Sequence, residues 1–450
     1  MFAELSKVAV SPTRGMRDIL PVEAASRASA LATIRSVYLL HGFTEIETPV
    51  VESLELLAGG GGGENEKLIF RILKRGERLE EAISADSILE SDLADTGLRF
   101  DLTVPLARFY AANHHRLPHP FRSCQIGPVF RAERPQKGRY RQFQQVDIDV
   151  VGDDGPQAEV DLLTAAISAL DAIGVEDFTV RINDRRILEE LAAGFGFTRD
   201  DFVTLFISLD KLDKLSVGEV VDELAERGMD RGASSELIGA ISDLRTSHDS
   251  LLALAEHKVP TDLLERLLWI KETTSSTLAG NTTSGFGVVV DPLVIRGMAY
   301  YTSSVFEVGH SGWGTSIAGG GRYDDMLSRF GRPAPAAGIS LGFERIMGLL
   351  AELGSPVRMG QSLTRTTVIY DPRDQTDQAA AIARAIRSEG EVATQQMRAK
   401  NLGSQLKRLE AEALEQRSQG SKDRFFYRIV GREESVELAS VDESGASASD

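Results

Sequence analysis

The chain has 450 residues, 42% hydrophobic and 26% charged, which suits two or three globular domains and excludes disorder over its bulk. Its single cysteine, Cys124, excludes a disulfide framework, and no uncharged apolar run approaches the ~20 residues of a membrane span. Fifty basic against 67 acidic side chains give a net charge of −17, which disfavours a nucleic-acid coat protein but leaves room for an enzyme with a local basic face.

Residues 1–7 lack the apolar core of a secretory signal, so a cytoplasmic protein is expected. Residues 11–18 read as an extended lead-in. Pro21 opens a helix with Leu31, Ile34 and Val37 at helical spacing, ended by Gly42. Residues 43–47 read as a short strand closed by Pro49, and Gly59 to Gly63 as a mobile loop. Residues 97–103 read as a strand carrying polar side chains to a pocket, with Pro105 at the first position of the next helix. Residues 122–133 and 141–150 form an expected antiparallel pair with a basic loop at its tip. A helix is predicted from about 156 to 173, with Val160, Leu163, Ile167 and Leu170 on one face and Gly174 as its stop.

Between 187 and 280 the text becomes rich in Leu, Ala and acids at helical spacing, and reads as a helical insertion. Strands are expected at 286–294 and 300–308. A strand at 366–370, a helix capped by Thr376 and Asp377 and stopped by Gly390, and a strand at 424–430 suggest a small α/β domain. The Ser-, Ala-, Gly- and acid-rich residues 442–450 are expected to be disordered.

Five clusters carry chemistry. Arg131 and Glu133 share one strand face, as do Arg141, Phe143, Gln145, Asp147 and Asp149. So many unlike charges do not make an ordinary core face, because buried unpaired charge is costly. A solvated hairpin face is the equal alternative, although Phe143 among the charges suits stacking on a planar ligand. Arg296 followed by Gly297, Tyr300 and Tyr301 offers a phosphate- or carboxylate-binding fork beside phenols. Gly319-Gly320-Gly321-Arg322-Tyr323 suggests close backbone approach to a ligand, though such a run more often marks a tight turn. Gly338, Ser340 and Gly342 do the same at a strand end, with Arg345 opening the next helix.

Asp101 and Thr103 suit an ammonium group, with a helix cap by Thr103 as the competing reading. Neither a GxGxxG nor a GxxxxGK[ST] run is present, so Rossmann and P-loop readings fail. The seven histidines have no CxxC or HExxH partner, so no protein-held metal site is expected. Cys124 reads as a small buried apolar residue.

In order along the chain, these segments resemble class II aminoacyl-tRNA synthetases, and among them the histidyl-tRNA synthetase family. Residues 43–52 are similar to motif 1, residues 130–143 to motif 2 and residues 338–345 to motif 3. Residues 293–301 and 319–324 are similar to the two signatures of the histidine-specific enzymes.

The resemblance implies an α+β fold, in which helices flank an antiparallel sheet, with a helical insertion and a small C-terminal anticodon-binding-like α/β domain. It divides the chain into a catalytic core at 1–186 and 281–358, the insertion at 187–280, the small domain at 359–440 and a tail at 441–450. It also implies activation of L-histidine by ATP with Mg²⁺, transfer to tRNA-His, and a homodimer formed through motif 1.

By the same resemblance, Arg131, Arg296 and Arg345 are the catalytic cations: Arg131 on the histidine carboxylate and α-phosphate, Arg296 on the α-phosphate from the other side, Arg345 on the γ-phosphate. Arg139 joins the ATP site, Glu133 holds the adenine amino group and Phe143 stacks on the base. Asp101 and Thr103 take the α-ammonium with Gln145 nearby. Asp149 and Tyr301 read the imidazole nitrogens, and Tyr300 and Tyr323 line that slot. Arg398, Lys400, Lys407, Arg408, Arg417, Lys422, Arg424 and Arg428 would face the anticodon end of tRNA, and residues 136–138 the acceptor end. Ala299 stands where the family often has Asp or Gly. Two further readings stay open: a histidine-sensing regulatory subunit of ATP phosphoribosyltransferase, and an enzyme activating an amino acid for an acceptor other than tRNA.

Overall fold

The computed structural model describes residues 10–58, 65–84, 88–135, 138–213, 215–246, 254, 256–257, 259–280, 282–295, 301–354, 364–418, 423–432 and 434–438. It divides into two units, Met1–Asp18 with Ile34–Ser355, and Ile19–Thr33 with Pro356–Asp450. Gly59 to Gly63, the loop tip at 136–137, Arg296 to Tyr300, Lys422 and the tail at 441–450 lie outside the described residues.

The strands of the first unit are β1 (Thr44–Glu45), β2 (Val51–Ser53), β3 (Arg71–Leu73), β4 (Ala94–Leu98), β5 (Phe121–Phe130), β6 (Gln142–Val151), β7 (Phe178–Asp184), β8 (Phe286–Val290), β9 (Ser304–His310), β10 (Trp313–Arg322) and β11 (Ala336–Leu341). Eight of them form one sheet in the order β1-β5-β6-β11-β10-β9-β7-β8. Its pairs are antiparallel except β1 with β5 and β7 with β8. The remaining three form a small antiparallel sheet, β2-β4-β3.

The sequence of β6 explains its central place. Val146, Ile148 and Val150 are fully buried on one face, and Gln145, Asp147 and Asp149 turn to the other. The helix Gln157–Ile173 packs against β6 and β11 with Val160, Leu163, Ile167 and Leu170 buried, and Gly174 ends it at φ +91°. Between β7 and β8 the chain is carried by the helices Arg185–Gly194, Arg199–Leu209, Val217–Glu226, Arg231–Thr246 and Thr261–Leu278. Ser216 and Glu219 close a capping box at the third of these.

The second unit holds β12 (Thr364–Tyr370), β13 (Val392–Met397), β14 (Arg424–Ile429) and β15 (Val436–Glu437) in the order β13-β12-β14-β15. β12 runs parallel to both neighbours, and β15 is antiparallel. Val368 packs with Ala379 and Ala383 of the helix Thr376–Ser388, whereas Ile369 packs with Leu409 and Ala413 of the helix Leu402–Ser418. Adjacent strand residues point to opposite faces, so the two helices cover the two sides of this sheet. The α+β fold class expected from the sequence is the one observed. Among the described residues, no helix is long and apolar enough to cross a membrane.

Several local expectations need correction. The strand read at 43–47 shrinks to β1, and that read at 286–294 stops at Val290, because Asp291 accepts the Leu293 N–H and turns the chain. The strand read at 300–308 begins at Ser304. The run read as a strand over 97–103 stops at Leu98. Beyond it Phe100 O accepts from Arg131 Nε at 3.0 Å and Leu102 O from Gln125 Nε2 at 3.1 Å, so side chains replace the ladder.

The following helix, Thr103–Asn113, starts two residues before Pro105, which therefore holds its third position rather than its first. Leu102 holds the N-cap position, and the side-chain bond to the first turn comes from Asp101 before it, whose Oδ1 accepts the Val104 N–H at 3.2 Å, not from Thr103. Likewise Thr376 and Asp377 are the first helical residues after an N-cap at Gln375. Gly319 to Gly321 do not form a turn. They lie inside β10, paired on both sides to β9 and β11.

Candidate active site

A cavity of about 500 Å³ opens over β6, β10 and β11. Asp101, Thr103, Arg131, Glu133, Arg139, Phe143, Gln145, Asp149, Tyr301, Tyr323 and Arg345 all line it, although up to 244 positions separate them in sequence. Arg296 and Tyr300 belong to the residues not described. Arg141, read as sharing the face of Phe143, turns away. Its Nε donates to Glu133 O at 3.1 Å and its own N–H to Gly15 O at 2.7 Å, because β6 begins one residue later.

Cross-strand register builds the floor. Asp149 stands opposite Gly338, and Asp147 opposite Ser340. A Cβ at Gly338 would lie 1.9 Å from Asp149 Oδ1, and one at Gly321 would lie 2.8 Å from Tyr301 Cδ1. These glycines are required because they clear space for the acid and the phenol that face the cavity. Tyr323 OH donates to Asp149 Oδ1 at 2.6 Å.

Arg322, between Gly321 and Tyr323, faces away and is only 3% exposed. Its Nε and Nη2 donate to the Glu159 carboxylate at 2.9 and 2.7 Å, and it also grips Asp153 O and Gly155 O. The pairing holds Glu159 below the usual carboxylate range despite its burial. Arg322 thus fixes the backbone from which Tyr323 reaches Asp149.

The lining also carries cations. Arg131 lies 5.0 Å over the Phe143 ring and is anchored through Nε to Phe100 O. Arg139 approaches Glu133 at 3.8 Å, and Arg345 Nη1 donates to Ser316 O at 2.7 Å from the first turn of the helix Phe343–Glu352. Glu344 accepts the Gln144 N–H at 3.3 Å and pairs with Arg17 at 3.1 Å. Cys124 is buried beneath the sheet, its thiol pushed up to about 12 by burial and neighbouring carboxylates, which makes it inert as a nucleophile.

The floor is short of positive charge. Burial pushes Asp101 up to about 6, opposed by the Val104 N–H and the Arg131 charge. Burial, with the charge of Asp101 added, pushes Asp147 up to about 7, and Asp149 is raised well above its usual range by burial and by Asp147. Asp147 is the residue that sequence reasoning left without a role. Its place between Gln145 and Asp149 in a period-two strand was the available signal.

These shifts have a sign. A carboxyl raised in the folded state binds protons there that the unfolded chain has lost, so it costs stability as pH rises from about 4 to its folded value. The wild type is therefore expected to lose stability relative to Asp147→Asn, by up to roughly 1 kcal/mol per pH unit, as pH rises from 4 to about 7, and no further above that. Urea unfolding of both proteins across this range is the measurement, and a constant difference would refute it.

The open face of this mostly antiparallel sheet thus carries buried acids beside several arginines. Residues 15–346 match the family model described as Histidyl-tRNA synthetase. Histidine–tRNA ligase of Leifsonia xyli subsp. xyli is 45% identical over 409 residues, 89% of this chain and 93% of that protein. Its namesake from Bacteroides fragilis is 38% identical over 352 residues, 76% of each chain.

Among solved structures, histidyl-tRNA synthetase from a Nostoc species superposes with TM-score 0.73 at 25% identity, covering 96% of this chain and 97% of that one. A Bacillus halodurans protein described as an ATP phosphoribosyltransferase regulatory subunit/histidyl-tRNA synthetase gives TM-score 0.72 at 21% identity, over 94% and 99% of the two chains. That last likeness is one of fold alone. The chain belongs to the histidyl-tRNA synthetase family.

Proposed function

We propose that this protein is an ATP-dependent histidine–tRNA ligase. It activates L-histidine to histidyl-adenylate and transfers the histidyl group to tRNA-His. The observation that carries this reading is one cavity lined both by the buried acids Asp101, Asp147 and Asp149 and by the guanidinium groups of Arg131, Arg139 and Arg345, on a fold shared with a histidyl-tRNA synthetase. An amino acid and a triphosphate need those two kinds of group side by side.

In activation the histidine carboxylate attacks the α-phosphorus of ATP and pyrophosphate leaves, with no enzyme nucleophile required. Charge builds on the phosphoryl oxygens, and fixed cations stabilise it. We assign Arg131 to the carboxylate and α-phosphate, Arg345 to the γ-phosphate, and Arg296 to the α-phosphate from the other side. Arg139 and Glu133 complete the ATP site with Phe143, whose ring already carries Arg131.

Asp101, Thr103 and Gln145 serve the α-ammonium, and Asp149 and Tyr301 the imidazole nitrogens, in a slot shared with Tyr300 and Tyr323. Neutral imidazole has one donor and one acceptor nitrogen, so a carboxylate plus a phenol selects it over apolar isosteres. Mg²⁺ fits as a companion of the ATP phosphates. Among the described residues, no group of three or more His, Cys, Asp or Glu forms a cage of its own.

We further assign the catalytic core to 1–186 and 281–358, the insertion to 187–280 and the anticodon-binding domain to 359–440. We infer a cytoplasmic homodimer joined through residues 43–52. The test is pyrophosphate exchange with each of the twenty amino acids, followed by charging of a tRNA-His transcript. Histidine alone should support exchange, and the transcript should be charged. Exchange without charging would sink the tRNA assignment, and no exchange would sink the enzymatic one.

A further inference from the structure

Gln145, Asp147 and Ser340 form a buried cluster whose internal hydrogen bonds have a direction. Gln145 is 8% exposed and Asp147 is 4% exposed. Gln145 Nε2 lies 3.1 Å from Asp147 Oδ2, 3.4 Å from Asp147 Oδ1 and 3.3 Å from Ser340 Oγ. Ser340, which faces Asp147 across the β6–β11 ladder, also bonds to its carboxylate. At the other end of the amide, Gln145 Oε1 is buried with no hydrogen-bond partner among the described residues.

An amide group has a donor end and an acceptor end, whereas an ionised carboxylate only accepts. Above pH about 7, where Asp147 is ionised, Gln145 must therefore present its nitrogen to it, since the reversed amide would set oxygen against oxygen. Turning the nitrogen inward leaves Oε1 buried and unsatisfied, an arrangement that is unfavourable unless a donor arrives from the cavity.

We propose that Asp147 is a positioning residue: by accepting from Gln145 Nε2 it holds Gln145 Oε1 toward the cavity as an acceptor for the ammonium group of the amino-acid substrate. The proposal rests on the reading of this cavity as an amino-acid site and adds what sets the direction of its amide. Asp147 acts through Gln145, and its negative charge adds to the attraction that Asp101 exerts on the same cation.

The test is a double-mutant cycle read by pyrophosphate exchange with histidine and ATP varied separately. In Asp147→Asn, residue 147 acquires a donor of its own, so the Gln145 amide is free to turn. The histidine KM should rise about tenfold while the ATP KM and kcat hold within about twofold. Gln145→Glu has oxygen at both ends of its head group and needs no orienting. In the Asp147→Asn background it should bring the histidine KM back to within about threefold of wild type. In the wild-type background the same change sets two carboxylates against each other and should weaken histidine binding.

An unmoved histidine KM in Asp147→Asn would overturn the proposal. So would a double variant no better than Asp147→Asn, or a parallel loss in both KM values and kcat, which is the mark of a merely structural role. Failure of the underlying reading is separately visible, since wild type itself would then show no exchange with histidine.

Discussion

Arg131→Ala is expected to lower histidine-dependent pyrophosphate exchange by about 10²- to 10³-fold, mostly in kcat, with the fold intact. Arg131 lines the cavity close enough to Asp101 and Asp147 for its charge to act on both. Its Nε is committed to Phe100 O, and the Phe143 ring supports its plane at 5.0 Å. Its two terminal nitrogens have no protein acceptor among the described residues, so the fork is set in place before a ligand arrives. Fixed charge of this kind matters most for an adenylation, in which negative charge shifts to the α-phosphate oxygens and no covalent enzyme intermediate shares it.

Removing the guanidinium also removes one bond to a loop carbonyl, worth about 1 kcal/mol. That is small against the catalytic loss, so urea unfolding should change little while exchange collapses. Arg131→Lys should not rescue, because an ammonium cannot hold Phe100 O and a planar anion at once. Retention of more than a tenth of wild-type exchange in the Ala variant would remove Arg131 from the mechanism.

The ease of reading differed sharply between elements, for physical reasons. Where one side of a segment is apolar and the other is not, period reveals the element. Residues 157–173 and 142–151 were legible on that basis, and so was the helical text between β7 and β8. Their burial is local in its sequence signal even though the packing is long-range.

Termini were less legible, because a cap depends on one hydrogen bond. Asp101 rather than Thr103 takes the Val104 N–H, and nothing in the spacing distinguishes a carboxylate at one position from a hydroxyl two later. The glycines of β10 and β11 were visible as unusual but not as what they are. Only register shows that Gly338 faces Asp149 and that the missing Cβ is space for a carboxylate. Arg322 reads in sequence as part of a ligand-facing run, yet it is turned to Glu159, 163 positions away. The bounds of the helix Leu402–Ser418, rich in charge and carried by Leu409 and Ala413 on its buried side, are hard to read for the converse reason. A narrow apolar stripe on a solvated helix gives a weak periodic signal.

Asp149→Asn should separate the two demands made on the cavity floor, lowering kcat/KM for histidine by about 10³-fold while stabilising the empty protein at alkaline pH. Asp149 is 3% exposed, and Tyr323 OH donates to its Oδ1, while Oδ2 is buried with no partner among the described residues. Asn keeps the shape. With Tyr323 holding the remaining oxygen, its new NH₂ takes the place of Oδ2 and presents a donor where the imidazole N–H needs an acceptor. A buried donor opposed to a donor is the kind of mismatch that a polar site rejects most strongly.

The effect on folding has the opposite sign. Burial and the nearby Asp147 raise the Asp149 carboxyl well above its usual range, so its ionisation opposes folding as pH rises, and the amide has no charge to bury. At pH 3, where the carboxyl is protonated in the folded chain and largely so in the unfolded one, wild type and variant should unfold at similar urea concentrations. At pH 8 the variant should be the more stable. Were the variant instead less stable at pH 8 and only mildly impaired with histidine, Asp149 would be a structural acid, and recognition of the ring would have to lie elsewhere in the slot.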